Sequence, residues 1–137
     1  SNVIAEQATA MVNVRLLPTQ TQEEVLGWMK KVIGDPAVKL KVVRFTPASE
    51  VSPAEGEAFS HLASTITACF RDAVVTPYLM LGATDARKYQ NLSNHIYRFT
   101  PVRMDKSEVG RMHGVDERIS EENIQLAVTF YATLVQS

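Results

Sequence analysis

Cysteine occurs once in 137 residues, and glycine and proline only six times each. A single thiol closes no internal disulfide and builds no thiolate zinc site, so a disulfide-stapled fold and a zinc finger are both excluded. Charge of neither sign dominates: Lys+Arg 14 against Asp+Glu 15 leaves a formal net charge of -1. With no basic run and no acidic tail, neither nucleic acid nor an anionic membrane surface is an expected partner; a small molecule is. No apolar run approaches the roughly 18 residues that a membrane helix needs, and no charged-then-apolar leader opens the chain, so a cytoplasmic setting is favoured. Internal repeats and low-complexity tracts are missing too. There is no starter methionine, and Ser1-Asn2-Val3-Ile4 runs at once into strand-like sequence, so the chain reads as a piece of something longer.

What is present fits one ordinary domain or two small ones: 45% of the residues are hydrophobic and 21% charged. Apolar residues alternate from Ala8 to Leu17, the period of a half-buried strand, and Pro18 ends it. Thr21 followed by Glu24 is a capping-box pattern, with Val25, Trp28, Met29, Val32 and Ile33 at helical spacing until Gly34-Asp35-Pro36. Val38 to Phe45 alternates again, so residues 1–45 read as strand, helix, strand. Residues 46–54 are a Pro/Ser-rich connector, and a second unit is expected over 46–137. In it, Ser52-Pro53-Ala54-Glu55 predicts a helix start, and Phe59, Leu62, Ile66, Cys69 and Phe70 make its apolar stripe. Cys69 on that stripe reads as a buried structural thiol; the competing reading, a cysteine nucleophile, requires exposure beside a histidine. Val74 to Leu81 reads as a strand covered on both faces, and His95 to Phe99 as another strand. Thr100 to Met112 is expected to be a loop with one turn of helix. A last helix is capped by Ser120 and turns Ile124, Ala127, Val128, Tyr131 and Leu134 inward. The expected class is α/β.

Three places carry candidate chemistry. His113-Gly114-Val115-Asp116-Glu117 puts an imidazole on a polar loop with a carboxylate four residues on, which suits a metal ligand with a supporting group behind it. The same spacing also describes a plain surface loop, and zinc takes at least three protein ligands. Gly82-Ala83-Thr84-Asp85 joins a strand to a helix start, where free N–H groups receive an oxyanion or carboxylate, or where Thr84 simply caps. Arg15, near Asn13 and downstream of Asn2, either grips a carboxylate in two-point fashion or decorates a solvated strand face. His-x-Asp is absent. The pairs Glu23-Glu24 and Glu121-Glu122 belong to first helical turns, and His61 and His95 have no second ligand at suitable spacing.

Asn2-Val3-Ile4, Met11-Val12-Asn13-Val14-Arg15-Leu16-Leu17-Pro18, Gly82-Ala83-Thr84-Asp85-Ala86-Arg87 and His113-Gly114-Val115-Asp116-Glu117-Arg118-Ile119-Ser120 occur together in one order. In that order the chain resembles the C-terminal portion of the co-catalytic zinc metallopeptidases, the family of carboxypeptidase S, the aminoacylases and the desuccinylases. The resemblance implies half of a ferredoxin-like lid or dimerisation domain over 1–45, and the end of a catalytic α/β domain over 46–137. It implies that His113 is one ligand to one of two zinc ions, with Glu117 supporting it, that Asn2 and Arg15 hold the substrate's free carboxylate, and that Gly82 and Thr84 line the same substrate pocket. Ala83 departs from it, since many relatives have a second glycine there. The implied reaction is hydrolysis of an amide bond beside a free carboxylate, in a dipeptide or an N-acyl amino acid, by zinc-activated water with a glutamate as general base. The remaining ligands and that glutamate lie outside this sequence, so the piece alone is expected to be inactive. Its unpaired lid strands imply a homo-oligomer. The competing reading is a non-catalytic carboxylate-binding or oligomerisation module.

Overall fold

Thr21 starts the first helix as its spacing to Glu24 requires. In the computed structural model, which describes residues 5–80 and 82–136, helix α1 spans Gln22–Ile33. The Glu24 N–H donates to the Thr21 hydroxyl at 3.2 Å, and the Thr21 N–H donates back to the Glu24 carboxylate at 2.8 Å. Gly34 closes the helix at φ 65, a left-handed conformation that glycine adopts without cost, and its N–H donates to the Lys30 carbonyl. The chain falls into two compact units, one running to Val51 and the other starting at Ser52.

No described residue of the first unit is buried, and Trp28 and Val32 of α1 stand 64% and 63% exposed. The expected strands flanking α1, and those expected over 74–81 and 95–99, form no ladder among the described residues; Leu81 lies outside them. The α/β expectation is therefore not borne out among the described residues, whose regular elements are helical. Alternation specifies which side chains share a face, but a strand also needs a second backbone about 4.8 Å away to accept its hydrogen bonds. Val74 and Tyr78, expected under cover, are 89% and 83% exposed.

The second unit has a core. Helix α2 (Glu57–Cys69) packs against helix α4 (Glu121–Gln136), with a short 3-10 turn at Asp85–Tyr89 and a single helical turn, α3, at Lys106–Val109. Ile66, Phe70 and Phe130 form the buried centre, and Leu62, Cys69, Val75, Leu126 and Leu134 close around it. Phe130 is 1% exposed and lies 5.1 Å from the Phe99 ring and 6.5 Å from Phe70, centroid to centroid. The His61 Nε2 donates to the Leu134 carbonyl at 3.0 Å, tying α2 to the last turn of α4. The expected stripe on α2 is the buried one, and Cys69 is half-buried against it.

Two expectations are corrected here. Ser52 does not cap α2, which starts four residues further on behind Gly56; its hydroxyl instead donates to the Ile96 carbonyl and accepts from the Ile96 N–H, both at 2.9 Å. The Tyr97 hydroxyl adds a bond to the Pro53 carbonyl at 2.8 Å, so the first residues of the unit are stitched to a segment 44 positions away. In α4, Ser120 does cap, accepting from the Asn123 N–H at 3.2 Å, but the inward face is Asn123, Leu126, Ala127, Phe130 and Leu134. Ile124, Val128 and Tyr131 are 49%, 65% and 49% exposed. The inward face is thus rotated by about one residue, some 100° at 3.6 residues per turn.

Candidate metal and carboxylate site

The loop after α3 departs most from ordinary backbone. His113 (φ 61) and Asp116 (φ 69) are the non-glycine residues with positive φ among those described, a conformation that costs an L-residue roughly 1–2 kcal/mol. Between them, a Cβ added to Gly114 would meet the Arg111 carbonyl oxygen at 3.2 Å, so a side chain there would require the turn closed by the Gly114 N–H to Arg111 to give by a few tenths of an ångström. Asp116 is tied to Arg118 at 3.1 Å, an exposed pair. His113 and Glu117 both face solvent, and among the described residues no hydrogen bond joins them.

The substrate-binding candidates are taken in turn. Thr84 takes extended backbone angles (φ -136, ψ 167) and its hydroxyl accepts from the Ala86 N–H at 3.2 Å, so it caps the 3-10 turn. Asp85 pairs with Lys88 at 2.8 Å across that turn. A Cβ on Gly82 would meet only the Met80 sulfur, at 3.8 Å, an ordinary contact; local packing does not demand glycine there. Arg15 is exposed on the first unit, and Asn2 lies outside the described residues. No hydrogen bond or ion pair among the described residues joins the Gly82–Thr84 turn to the His113 loop.

A metal makes a stricter demand. Among the described residues, no three His, Cys, Asp or Glu side chains converge on a point that could hold an ion. Zinc needs at least three protein ligands, so the residues present do not by themselves fit it, and His113 supplies at most one.

One polar node escaped the sequence reading. Arg103 pairs with Asp72 in two-point fashion, its Nη1 donating at 2.8 Å, and its guanidinium carbon sits 5.6 Å from the Phe70 ring centroid. That hydrogen bond first, then the Asp72 main-chain N–H, and then the Arg103 charge outweigh desolvation and hold the Asp72 carboxyl down at about 2. Asn123, only 6% exposed, accepts from the Arg103 N–H at 2.7 Å and donates to the Arg103 carbonyl at 2.9 Å. Its amide thus does for Arg103 what a neighbouring strand would do. Asp72, Phe70, Phe99 and Arg103 also line a groove of about 460 Å³, which none of the expected site residues enters. Separations of 20 and 31 positions leave no local signal from which this node could be read.

Comparison with known proteins supplies what the geometry lacks. The chain is 45% identical over 138 residues to the N-fatty-acyl-amino acid synthase/hydrolase of Xenopus tropicalis, covering 100% of this chain and 27% of that protein. It is 36% identical over 138 residues to the probable carboxypeptidase S-like 2 of Dictyostelium discoideum, with the same coverage. The human N-fatty-acyl-amino acid synthase/hydrolase is 35% identical over 139 residues, 99% of this chain and 28% of that protein. Over its whole length the chain is thus similar to N-fatty-acyl-amino acid synthase/hydrolases and carboxypeptidase S-like proteins. It spans about a quarter of the length of the curated relatives it matches. No family model matches the chain, and no solved structure matches it significantly.

Proposed function

We propose that this chain is the C-terminal portion of a metal-dependent hydrolase that cleaves an amide bond next to a free carboxylate, in an N-acyl amino acid or a dipeptide. The observation that supports the reading is the 36–45% identity, over the whole of this chain, to proteins named as an N-fatty-acyl-amino acid synthase/hydrolase and a probable carboxypeptidase S-like protein. In this reading His113 would be one ligand to one of two zinc ions, whose other ligands come from the rest of the protein. Glu117 would stand behind His113 and orient its ring toward such an ion. Arg15 and Asn2 grip the substrate carboxylate, because a guanidinium matches a carboxylate with two parallel hydrogen bonds. Gly82 keeps its turn open so that the substrate approaches the backbone, and Thr84 offers its hydroxyl proton while its oxygen caps the turn.

Residues 1–45 are, on this reading, half of a split lid that pairs its strands with the missing half or with a second copy. On the same reading the general base and the other ion ligands are supplied by the rest of the protein, and the piece alone turns over nothing.

The test is made on the full-length protein. Replacing His113 with Ala should lower zinc content and cost far more than the ~10–100-fold that a supporting residue behind a ligand is worth, with Glu117→Gln falling in that smaller range. Arg15→Ala should raise KM for N-acyl amino acids and leave the corresponding carboxamides unaffected. Full turnover by His113→Ala would overturn the reading and favour a non-catalytic carboxylate-binding module.

A further inference from the structure

A triplet outside the candidate site carries its own chemistry. Of the asparagines in the sequence, only Asn91 is followed two places later by Ser or Thr, as Asn91-Leu92-Ser93, and the middle residue is not proline. This is the acceptor pattern for N-linked glycosylation, which needs a surface position with room for a bulky, hydrated group.

The fold provides that position. The 3-10 turn ends at Tyr89, and the Tyr89 carbonyl accepts from the N–H groups of Leu92 at 2.8 Å and Ser93 at 3.2 Å, so the triplet occupies a tight turn. Asn91 is exposed, and its side-chain amide has no partner among the described residues. Leu92 beside it is 80% exposed, an apolar side chain left in water. Ser93 accepts from the His95 N–H at 3.0 Å, which holds the end of the turn without covering Asn91. Asn91, Leu92 and Ser93 neither line the groove nor belong to the Phe130 core.

We propose that Asn91 is an N-glycan attachment site. The donor is an oligosaccharide linked through pyrophosphate to a polyprenol, handled by a membrane-bound transferase. The Asn91 amide nitrogen attacks the anomeric carbon of the first sugar. The N–C bond forms as the bond from that carbon to the phosphate oxygen breaks, and the polyprenyl pyrophosphate leaves with the electron pair. The amide gives up one proton to a base of the transferase. Occupancy requires passage through a secretory lumen, against the cytoplasmic setting expected from the sequence.

The test uses the full-length protein made in eukaryotic cells from its native gene. Peptide mass spectrometry after peptide N-glycosidase treatment should find position 91 converted to Asp in the wild type. Asn91→Gln and Ser93→Ala should each abolish the mark, and Ser93→Thr should keep it. Because Ser93→Ala leaves the asparagine in place, its loss of the mark separates glycan transfer from spontaneous deamidation. An unmodified Asn91 in the wild-type protein, or a mark that survives Ser93→Ala, overturns the proposal.

Discussion

The amide of Asn123 is the most economical place to test how the second unit is held together. Replacing it with alanine removes the bonds at 2.7 and 2.9 Å to the main chain of Arg103. At about 1 kcal/mol net for each, with a further penalty for any backbone group left dry, the loss should be about 2–3 kcal/mol. For a domain of roughly 60–100 residues that corresponds to a fall in Tm of roughly 10–20 °C. Aspartate is the sharper variant, because an ionised carboxylate accepts from the Arg103 N–H but meets the Arg103 carbonyl with a second lone pair. Burial and that carbonyl both disfavour the charge, so the folded-state pKa of the introduced group lies above its unfolded value. Its contribution is therefore intact below the unfolded pKa of about 3.9 and is lost as pH rises through the folded one. Denaturant melts of Asn123→Asp and wild type, run in parallel from neutral pH toward pH 4, should show the variant's deficit shrinking in acid. An alanine variant within about 0.5 kcal/mol of wild type, the range of plain surface changes, would refute the strand-mimic account, as would a pH-independent deficit for the aspartate.

Other outcomes follow from the same packing. Phe130→Ala empties the aromatic centre and should cost about 3–5 kcal/mol, enough to unfold the second unit in a thermal melt followed by near-ultraviolet circular dichroism. Asp72, held down at about 2, lends stability that is fully present above its ordinary value of 3.8 and is lost as pH falls toward 2; Asp72→Asn should flatten the stability profile in that window. Gly34→Ala forces a Cβ into left-handed backbone at the end of α1 and should reduce helicity, at a cost of about 1 kcal/mol, while Gly34→Asn is milder.

The sequence was most readable where local rules suffice. Thr21 with Glu24, Gly34, and Ser120 at the head of α4 mark helix ends through contacts within a few residues, and each does so in the structure. The single helical turn expected between Thr100 and Met112 is present, capped by Asp105. Readings that depend on distant partners fared differently. Ser52-Pro53-Ala54-Glu55 has every local mark of a helix start, yet the hydroxyl is drawn to Ile96, 44 positions on. The inward face of α4 was misjudged because Asn123, polar and in a first turn, reads as solvent-facing until its tie to Arg103 is known. Alternating segments announced strands whose partners are not among the described residues. As for the candidate site, Thr84 was legible as a cap, whereas the left-handed backbone at His113 and Asp116 has no signature in composition or spacing.

The paired bonds between Ser52 and Ile96, reinforced from Tyr97, fix where the second unit begins as a mechanical object. A protease working along the Pro/Ser-rich stretch upstream can nick it freely, but digestion should halt at this stitch, leaving a resistant remnant whose new amino terminus lies close to position 52.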